Sequence, residues 1–368
     1  MQMKLLKFLL ILFSLATCVW SSIDVHCKDE SGKPVDWFIV YKFPKISHGF
    51  ATKEPFKTGV SYAFITSKTQ NDGWTFSKNT IDDVNSIFGK TLAPIYSKKS
   101  SKILSYIVYN DQQPPDGQTQ TGTAHAKGVV VSTSARGFWL IHTIPKFISD
   151  PQKNKYEYPS SGHRNGQVGL CISMKIDQIT KVINQLLIMR PLIYSIKTTK
   201  AFEGKAKNVL DLKDKKWTEI SNHSVKIELE TFDGEKLISF SKDPKANEDL
   251  YADIVAPELQ TNLLVQSWRL TFGGPGNLLN SECKQKFRVE NINHLTPIFS
   301  NGTKTDGFPY TDDHSKWAMG KTEEKPFVCI GDINRVDTQF KRGGGTTCLK
   351  IKSVWKDFND WVDQIEKC

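Results

Sequence analysis

The sequence predicts a mixed α/β protein of the α+β class, in which strands outnumber helices. Eight short stretches rich in β-branched and aromatic residues have the length and composition of strands, and three others carry apolar residues at helical spacing. The chain has 368 residues, of which 39% are hydrophobic and 24% are charged, as is typical of a folded protein. Such a length fits two domains or one large domain made of two halves.

The predicted elements alternate between strand and helix in the first half, whereas the second half is richer in turns and strands. Polar or lysine-rich breaks at Asn110–Thr123 and Ile196–Asn208 suggest two halves, residues 22–200 and 201–368. The predicted helices are Ile81–Phe88, Ile176–Met189 and Val354–Ile365. The predicted strands are Trp37–Phe43, Tyr62–Ile65, Ile103–Tyr109, Gly128–Val131, Phe138–Ile141, Val168–Ile172, Val225–Leu229 and Phe327–Ile330.

The first residues have the pattern of a secretory signal peptide. Lys4 and Lys7 precede an apolar run, Phe8–Trp20, which small residues follow. We therefore expect residues 1–21 to be removed after Ser21, since the run is short for a permanent membrane span. We expect the mature chain to have no stable membrane association. Loss of the two lysines lowers the formal net charge from +10 to +8.

Six cysteines remain after the expected cleavage, and an even number in a secretory chain predicts three disulfides. Zinc binding is the competing use, but the chain lacks a CxxC pair. Two glycosylation sequons, Asn222-His-Ser and Asn301-Gly-Thr, fit the same compartment. These features predict the secretory pathway and leave open whether the protein is lysosomal or secreted.

The positive charge favours a polyanionic partner, such as nucleic acid, an acidic glycan or an anionic membrane surface. Solubility alone is the competing explanation for the charge. The lysines are spread along the chain, so no segment is basic enough to serve as a binding tail.

Two His-x-Lys motifs are the strongest candidates for a catalytic site. His125-Ala-Lys127 and His314-Ser-Lys316 are each followed by a glycine-bounded apolar strand that ends in a polar residue. In a strand, residues i and i+2 point to the same face, so the histidine and lysine of each motif would project together. The two pairs could then converge from the two halves. Two imidazoles and two ammonium groups suit the dispersed negative charge of a phosphodiester in its transition state.

The surroundings separate these two motifs from a chance match. A third His-x-Lys, His26-Cys-Lys28, lies at the expected mature N-terminus, has no following apolar strand, and is interpreted as incidental. The strand "GFWLIHTIP" ends at His142, and the strand "PFVCIGDIN" ends at Asn334. His163 and His294 lack such surroundings.

The chain resembles the deoxyribonuclease II family, whose fold is that of the phospholipase D superfamily. The residues that carry the resemblance run from Gly32 to Cys348. They are "GKPVDWFIVYKFP", "HAKGVVV" with "GFWLIHTIP", "GQVGLCISM", "DDHSKWAMG" and "FVCIGDINRVDTQFKRGGGTTC", of which the last two are the most specific.

The resemblance implies a single-chain pseudo-dimer, in which each half is a mixed β-sheet flanked by helices and contributes one His-x-Lys motif. The catalytic residues would be His125, Lys127, His314 and Lys316, with the histidines facing each other across the scissile phosphate. His142 and Asn334 would occupy accessory polar positions. The disulfides implied by the resemblance are Cys27–Cys171, Cys283–Cys368 and Cys329–Cys348.

The activity implied is that of an acid endonuclease which hydrolyses double-stranded DNA without a metal or another cofactor. One histidine would attack phosphorus to form a phosphohistidine, while the other would protonate the 5′-oxygen and then activate water. Lys127 and Lys316 would hold the non-bridging oxygens, as a metal ion does elsewhere. The products would carry 3′-phosphate and 5′-hydroxyl ends. Which histidine is the nucleophile, whether the chain forms a homodimer, and whether the DNA is engulfed or extracellular remain open.

The chain departs from the wider phospholipase D pattern at one point. The acidic residue expected five positions after each lysine is replaced by Ser132 and by Lys321, which removes the usual support of the histidine ring. Asp312 and Asp313 could orient His314 or could simply be solvated. Trp139 and Trp317 are interpreted as packing residues rather than base-stacking residues.

Two other functions stay open. One is a catalytically silent relative that binds DNA or a surface receptor, although nothing essential to the motifs is missing. The other is a lipid phosphodiesterase of the same superfamily, which would need an apolar groove for acyl chains.

Overall fold

The computed structural model describes residues 24–46, 54–98, 102–153, 155–270 and 277–368. The expected signal peptide and its cleavage after Ser21 lie outside these residues. Two large β-sheets with flanking helices make up the molecule, which confirms the α+β class. We call residues 24–200 the first half of the chain and residues 201–368 the second half.

The first half forms an antiparallel sheet of eight strands in the order β10-β6-β7-β8-β9-β3-β4-β5. A two-stranded ribbon, β1 (Cys27–Lys28) and β2 (Pro34–Val35), precedes it. The strands of the sheet are β3 (Trp37–Lys42), β4 (Tyr62–Thr66), β5 (Thr75–Phe76), β6 (Ser105–Tyr109), β7 (Gly128–Ser132), β8 (Arg136–His142), β9 (Gln167–Lys175) and β10 (Ile193–Lys197).

The second half forms a nine-stranded sheet in the order β11-β12-β18-β17-β16-β13-β14-β15, and β19 pairs with β14. Strands β13 and β14 run parallel, and the other pairs within this sheet are antiparallel. The strands are β11 (Ser224–Glu230), β12 (Lys236–Lys242), β13 (Leu263–Gln266), β14 (Val289–Leu295), β15 (Phe308–Pro309), β16 (Trp317–Gly320), β17 (Phe327–Gly331), β18 (Gly344–Lys350) and β19 (Val362–Glu366).

The helices are short apart from α2, and no helix in the described part of the chain is both long and apolar enough to cross a bilayer. A π-helical turn, Leu250–Val255, leads directly into α5. The helices are α1 (Ile87–Tyr96), α2 (Ile176–Met189), α3 (Lys200–Lys205), α4 (Val209–Lys213), α5 (Ala256–Leu259) and α6 (Lys352–Asn359). Single 3₁₀ turns occur at Pro151–Lys153, Ser160–Gly162, Tyr310–Asp312 and Asp337–Gln339.

A shared hydrophobic core joins the two sheets. In β3, Ile39 packs into a cluster that also contains Trp317 and Ile330 of the second sheet, whereas Val40 faces a separate cluster on the other side of the first sheet. The second sheet likewise has its own outer cluster. Helix α2 contacts both β8 and β12. Because each fully buried aliphatic side chain contributes about 1.5–3 kcal/mol, this shared core holds the halves together.

Three disulfides reinforce the fold, and none of them joins the two halves. Cys27–Cys171 ties β1 to β9, Cys329–Cys348 links β17 to β18, and Cys283–Cys368 fastens the C-terminus. These are the pairs that the resemblance implies.

All eight predicted strands are present, with bounds that differ by a few residues, and the predicted helix Ile176–Met189 is confirmed. Two helix predictions were wrong in their bounds. Residues 81–86 form turns, and the helix begins only at Ile87, where the Ser86 hydroxyl accepts a hydrogen bond from the Gly89 amide at 3.0 Å. The last predicted helix ends at Asn359, because the chain after it pairs as β19 with β14.

Candidate active site

His125, Lys127 and His314 line one cleft of about 560 Å³, and the fourth motif residue, Lys316, is buried beside His314. Each motif lies directly before a strand in the interior of its sheet, β7 in the first half and β16 in the second. The residues that line the cleft are Asp111, Gln112, Thr119, Thr121, His125, Lys127, Trp268, Leu270, His314, Asn334, Val336, Thr338, Gln339, Lys341 and Arg342.

Each motif histidine is hydrogen-bonded to the main chain of the opposite half. The His125 amide donates to the Gly343 carbonyl at 2.9 Å, and its Nδ1 donates to the Asp332 carbonyl at 2.6 Å. The His314 amide donates to the Gly166 carbonyl at 2.9 Å, and its Nδ1 lies 3.1 Å from the Thr143 carbonyl. Because a carbonyl only accepts, each ring carries its hydrogen on Nδ1 when these bonds form. Nε2 is then the ring nitrogen without a hydrogen, and in His314 it lies 3.0 Å from Nζ of Lys316.

The two sets of supporting residues occupy matching positions. The Thr143 amide donates to the Val168 carbonyl at 3.0 Å, and the Asp332 amide donates to the Gly345 carbonyl at 3.1 Å. Val168 lies two residues after Gly166, which accepts from the His314 amide. Gly345 likewise lies two residues after Gly343, which accepts from the His125 amide.

Main-chain carbonyls therefore stand where an acidic side chain was expected to support the ring. Ser132 and Lys321, which replace the expected acids, are bonded elsewhere, since the Ser132 hydroxyl donates to the Thr133 carbonyl at 2.7 Å and Lys321 pairs with Glu290 at 2.6 Å.

Glycine is required at both supporting positions because other groups approach closely. A Cβ atom on Gly343 would lie 2.0 Å from the Met189 carbonyl oxygen, and a Cβ atom on Gly166 would lie 2.4 Å from Oδ1 of Asp313. Any side chain at either position would push the supporting loop away from the histidine that it holds.

Two buried lysines hold the supporting loops, which are the loops that lead to Gly166 and Gly343, and no sequence motif predicted this role. Lys42 donates to the carbonyls of His163, at 3.1 Å, and Asn165, next to Gly166. In the second half, Lys242 donates to three carbonyls of the loop before Gly343, those of Gln339, Phe340 and Arg342, at 3.2, 2.6 and 2.8 Å. Lys42 is the last residue of β3, and Lys242 is the last residue of β12. A lysine at the end of an apolar strand is the only sequence pattern from which either could have been predicted.

The motif lysines differ in their contacts. Nζ of Lys127 lies 2.5 Å from Oδ1 of Asp111, whose Oδ2 pairs with Arg342 at 3.1 Å. Nζ of Lys316 lies 2.9 and 3.0 Å from the two ring nitrogens of His314 and donates to the His314 carbonyl at 2.6 Å. Asp111 and Arg342 are thus site residues that the sequence did not single out, since Asp111 lies in a polar loop that resembled a break between elements.

Comparison with known protein families matches residues 26–368 to the family described as deoxyribonuclease II. The chain belongs to the deoxyribonuclease II family. The resemblance noted in the sequence is therefore confirmed, and the chain is a deoxyribonuclease II-type hydrolase.

Three similar proteins illustrate the match. Plancitoxin-1 of Acanthaster planci is 33% identical over 98% of this chain and 97% of its own length. Deoxyribonuclease-2 of Caenorhabditis elegans is 32% identical over 90% and 91%. Deoxyribonuclease-2-alpha of Mus musculus is 34% identical over 96% and 97%. The likeness extends over nearly the whole length of both chains in each case.

Burial and positive charge lower the pKa of both motif histidines. The pKa of His125 and that of His314 fall well below the usual value, first because the rings are buried and then because lysines adjoin them. The pKa of Lys316 also falls well below its usual range, mainly through burial and then through repulsion by Lys127. Both imidazoles are therefore neutral in the free protein near neutral pH.

The pKa values of two carboxyl groups near the histidines shift in opposite directions. Burial alone would raise the pKa of Asp111, but Lys127 and Arg342 outweigh it and the net shift is downward. Burial raises the pKa of Asp332 to about 7, although Lys127 partly offsets this effect. Asp111 is thus an anion in the cleft at acid pH.

The two accessory positions differ. His142 is completely buried and lies outside the cleft lining, where its Nδ1 accepts from the Ile144 amide at 3.2 Å. Burial, and then Lys127, lower its pKa to about 3. Asn334 lines the cleft, and its Oδ1 has no hydrogen-bond partner among the described residues.

The remaining candidates are structural. Asp313 is fully buried and accepts hydrogen bonds from the hydroxyls of Tyr41 and Ser315, so it is neither solvated nor bonded to the His314 ring. Trp139 donates to the Tyr109 hydroxyl at 2.8 Å, and both it and Trp317 belong to the shared core. Across the described residues, no group of three or more His, Cys, Asp and Glu side chains could hold a metal ion.

Proposed function

We propose that this deoxyribonuclease II-type hydrolase is an acid endonuclease that cuts double-stranded DNA without a metal ion. The observation that carries the proposal is the meeting of His125 and His314 at one cleft, each with its Nδ1 bonded to the opposite half. Such crossed support fits a pseudo-dimer in which neither half has a complete site. The clustered cations favour a bound phosphodiester anion.

The reaction proceeds by two displacements at phosphorus. The Nε2 lone pair of one histidine attacks phosphorus, and the bond to the 5′-oxygen breaks as the other histidine donates its proton to that oxygen. Water then gives a proton to the second histidine and displaces the first, leaving 3′-phosphate and 5′-hydroxyl ends. Lys127 and Lys316 hold the non-bridging oxygens throughout.

The first prediction is that either histidine is indispensable. His125→Ala and His314→Ala should each lower plasmid nicking by at least about 1,000-fold, and the double variant should be scarcely worse, because the two residues act as a unit. His223→Ala is the matched control, since His223 lies outside the cleft beside Asp243. Substantial nicking by His314→Ala would contradict the two-half site. Normal circular dichroism of the variants would exclude unfolding.

The second prediction concerns pH and chelation. Because the pKa of both imidazoles is lowered in the free protein, protonation of one of them requires acid pH together with the bound phosphate anion, which raises it. Nicking measured from about pH 4 to 8 with excess EDTA should peak below neutral pH and be unaffected by the chelator. A neutral optimum that depends on magnesium or calcium would rule out the mechanism. Binding without cleavage, or hydrolysis of phospholipid only, would instead support the two open alternatives.

We also propose that the protein follows the secretory pathway to the lysosome or the outside of the cell. Three disulfides suit that route, and Asn222 and Asn301 are both exposed and so accessible to glycosylation. Its role there would be the degradation of engulfed or extracellular DNA, with a homodimer possible.

A further inference from the structure

The two histidines are supported alike, but their rings face different neighbours. Tyr109 of β6 pairs with Gly128, and Gln266 of β13 pairs with Trp317, so these two strands flank the motif strands in the same register. Two residues further along, Asp111 and Trp268 take matching places. Oδ2 of Asp111 lies 3.8 Å from Nε2 of His125, whereas the Trp268 ring lies edge-on to the His314 ring at 4.6 Å between centres.

Lys127 and Lys316 also differ, in whether a carboxylate contacts their ammonium group. The charge of Lys127 is partly neutralised by Asp111 at 2.5 Å. Lys316 has no carboxylate within 4.0 Å among the described residues, because the nearby Asp313 is turned toward Tyr41 and Ser315. The motif lysine without a direct carboxylate contact therefore lies on the side of His314, within 3.0 Å of its ring nitrogens, although Asp111, Asp313 and Asp332 attract its charge from farther away.

From this asymmetry we infer that His314 is the nucleophile, that His125 is the general acid and then the general base, and that Asp111 is the positioning residue that fits His125 for that role. The inference rests on the proposed function and assigns its two histidines.

Electrostatics gives the reason. A phosphodiester anion is attracted to Lys316, which no carboxylate contacts directly, and this brings phosphorus to Nε2 of His314. Burial and the adjacent Lys316 keep that imidazole neutral, and they outweigh the opposite effect of Asp111. An imidazolium at His125 is stabilised by the Asp111 carboxylate, while Lys127 and Arg342 keep that carboxylate ionised. The groups that face the His125 ring are Asp111, Lys127, Lys316, Arg342 and the carbonyl of Asp332.

The Nε2 lone pair of His314 forms the N–P bond, the P–O5′ bond breaks, and its electron pair takes the proton from Nε2 of His125. Neutral His125 next removes a proton from water, whose oxygen attacks phosphorus as the N–P bond breaks and its electron pair returns to His314. The site ends with His314 neutral and His125 protonated, as it began.

A substrate that needs no acid separates the two roles. A thymidine 3′-phosphodiester with a 4-nitrophenyl leaving group releases a stable phenolate, so removal of the general acid spares the first step and removal of the nucleophile does not. His125→Ala should lose at least about 100-fold in DNA cleavage, yet release a burst of nitrophenolate equal to about one equivalent of enzyme, followed by slow turnover. His314→Ala should give no burst.

Mapping of the covalent intermediate locates the nucleophile directly. Base-quenched enzyme, digested and analysed by mass spectrometry, should carry phosphate and the nucleoside on His314, both in the wild type and at higher occupancy in His125→Ala. An adduct on His125, or a burst from His314→Ala, would overturn the assignment and leave the proposed function intact. No adduct on either residue in active wild-type enzyme would contradict the proposed mechanism itself.

Asp111 is tested by the pH profile. Asp111→Asn should lower DNA cleavage by about 10-fold, shift the decline at high pH to lower pH by about one unit, and affect the nitrophenyl ester much less. Asp111→Glu should restore part of the shift. Equal losses on both substrates with an unchanged pH profile would mean that Asp111 only maintains structure, and the assignment of its role would fail.

Discussion

His142 is a neutral imidazole sealed within the protein, directly behind the strand end that carries Lys127. The His142 amide donates to the Lys127 carbonyl at 3.2 Å, and its ring packs against Phe147 with 5.2 Å between centres. Its pKa of about 3 means that it stays neutral in the folded protein under conditions where the unfolded chain would protonate it.

The third prediction follows from this difference. Because the pKa of His142 is lowered on folding, its contribution to stability is present above about pH 6.5 and is lost as the pH falls toward about 3. The loss is about 1.4 kcal/mol per pH unit, or roughly 2.7 kcal/mol at pH 4.5. In His142→Asn this part of the pH dependence should disappear. Urea unfolding at several pH values measures it, and identical slopes for the two proteins would show that His142 is protonated in the native state.

At the residue scale, the sequence predicts the site residues that belong to an obvious motif. It does not predict residues whose role depends on contacts between distant parts of the chain. Two His-x-Lys motifs, each before an apolar strand, were enough to predict that His125, Lys127 and His314 come together at one cleft. Asp111 could not be predicted, because its role depends on the approach of Arg342 from the other half, 231 positions away. A short motif carries no information about such long-range pairs.

At the scale of elements, the supporting loops matter more for the positions of the two histidines than the strands that they join. Lys42 and Lys242 lie at the ends of apolar strands, and both residues are only 0–1% exposed. Their ammonium groups lie among the carbonyls of the supporting loops. Burial lowers the pKa of Lys42 well below its usual range and that of Lys242 to about 8. Their hydrogen bonds to the carbonyls hold the loops in place despite this cost.

The fourth prediction is that each lysine positions the histidine of a different half. Lys242→Met should lower the free energy of unfolding by about 2–4 kcal/mol, because buried carbonyls lose their donor. It should also speed hydrogen exchange at the His125 amide, which bonds to Gly343, and leave the His314 amide unchanged. Lys42→Met should do the reverse.

Lys200→Met is the control for both, because Lys200 has an exposed side chain on α3 and should change stability little. Equal acceleration at both histidine amides in Lys242→Met would mean that the loop has no specific link to His125. Hydrogen exchange resolved by residue, combined with urea unfolding, distinguishes these outcomes.

The elements themselves were predicted best where local pattern and tertiary packing agree. Helix α2 has an apolar face that contacts both sheets, and its bounds were predicted correctly. Strand β18 was missed because its sequence, "GGTTCLK", is typical of a turn, yet Gly345 allows the Phe240 carbonyl to approach where a Cβ would lie 2.2 Å away. Strand β19 was taken for the end of a helix because its pairing with β14 leaves no local trace.

At the scale of the whole molecule, the halves are joined by packing, by the crossed bonds at the cleft and by a single connection. The segment from β10 to β11 is the covalent connection between the two sheets, and between α4 and β11 it passes through exposed residues 214–216. No disulfide crosses from one half to the other. The integrity of the site therefore depends on the shared core rather than on the covalent link.

The fifth prediction is that a cut in this connection leaves an active enzyme. With a protease site inserted between Lys215 and Lys216, the cleaved protein should elute as one species and retain plasmid nicking within about twofold, because each fully buried aliphatic side chain of the shared core contributes about 1.5–3 kcal/mol. A non-reducing denaturing gel would verify complete cleavage. Separation of the fragments under native conditions would contradict the prediction, and a site cut within α3 provides a control for the position of the cut.

The main-chain carbonyls of Thr143 and Asp332, which bond the histidine rings of the opposite halves, have a consequence for mutagenesis as well as for chemistry. A main-chain oxygen is supplied by every residue type, so no side-chain replacement at position 143 or 332 removes the acceptor, and an alanine scan is blind to it. It also does not titrate, whereas an aspartate or glutamate in its place would begin to take up a proton near pH 4. Since Nδ1 bears a hydrogen in both the neutral and the protonated ring, the same bond would serve both states of the histidine that loses and regains a proton in the proposed mechanism.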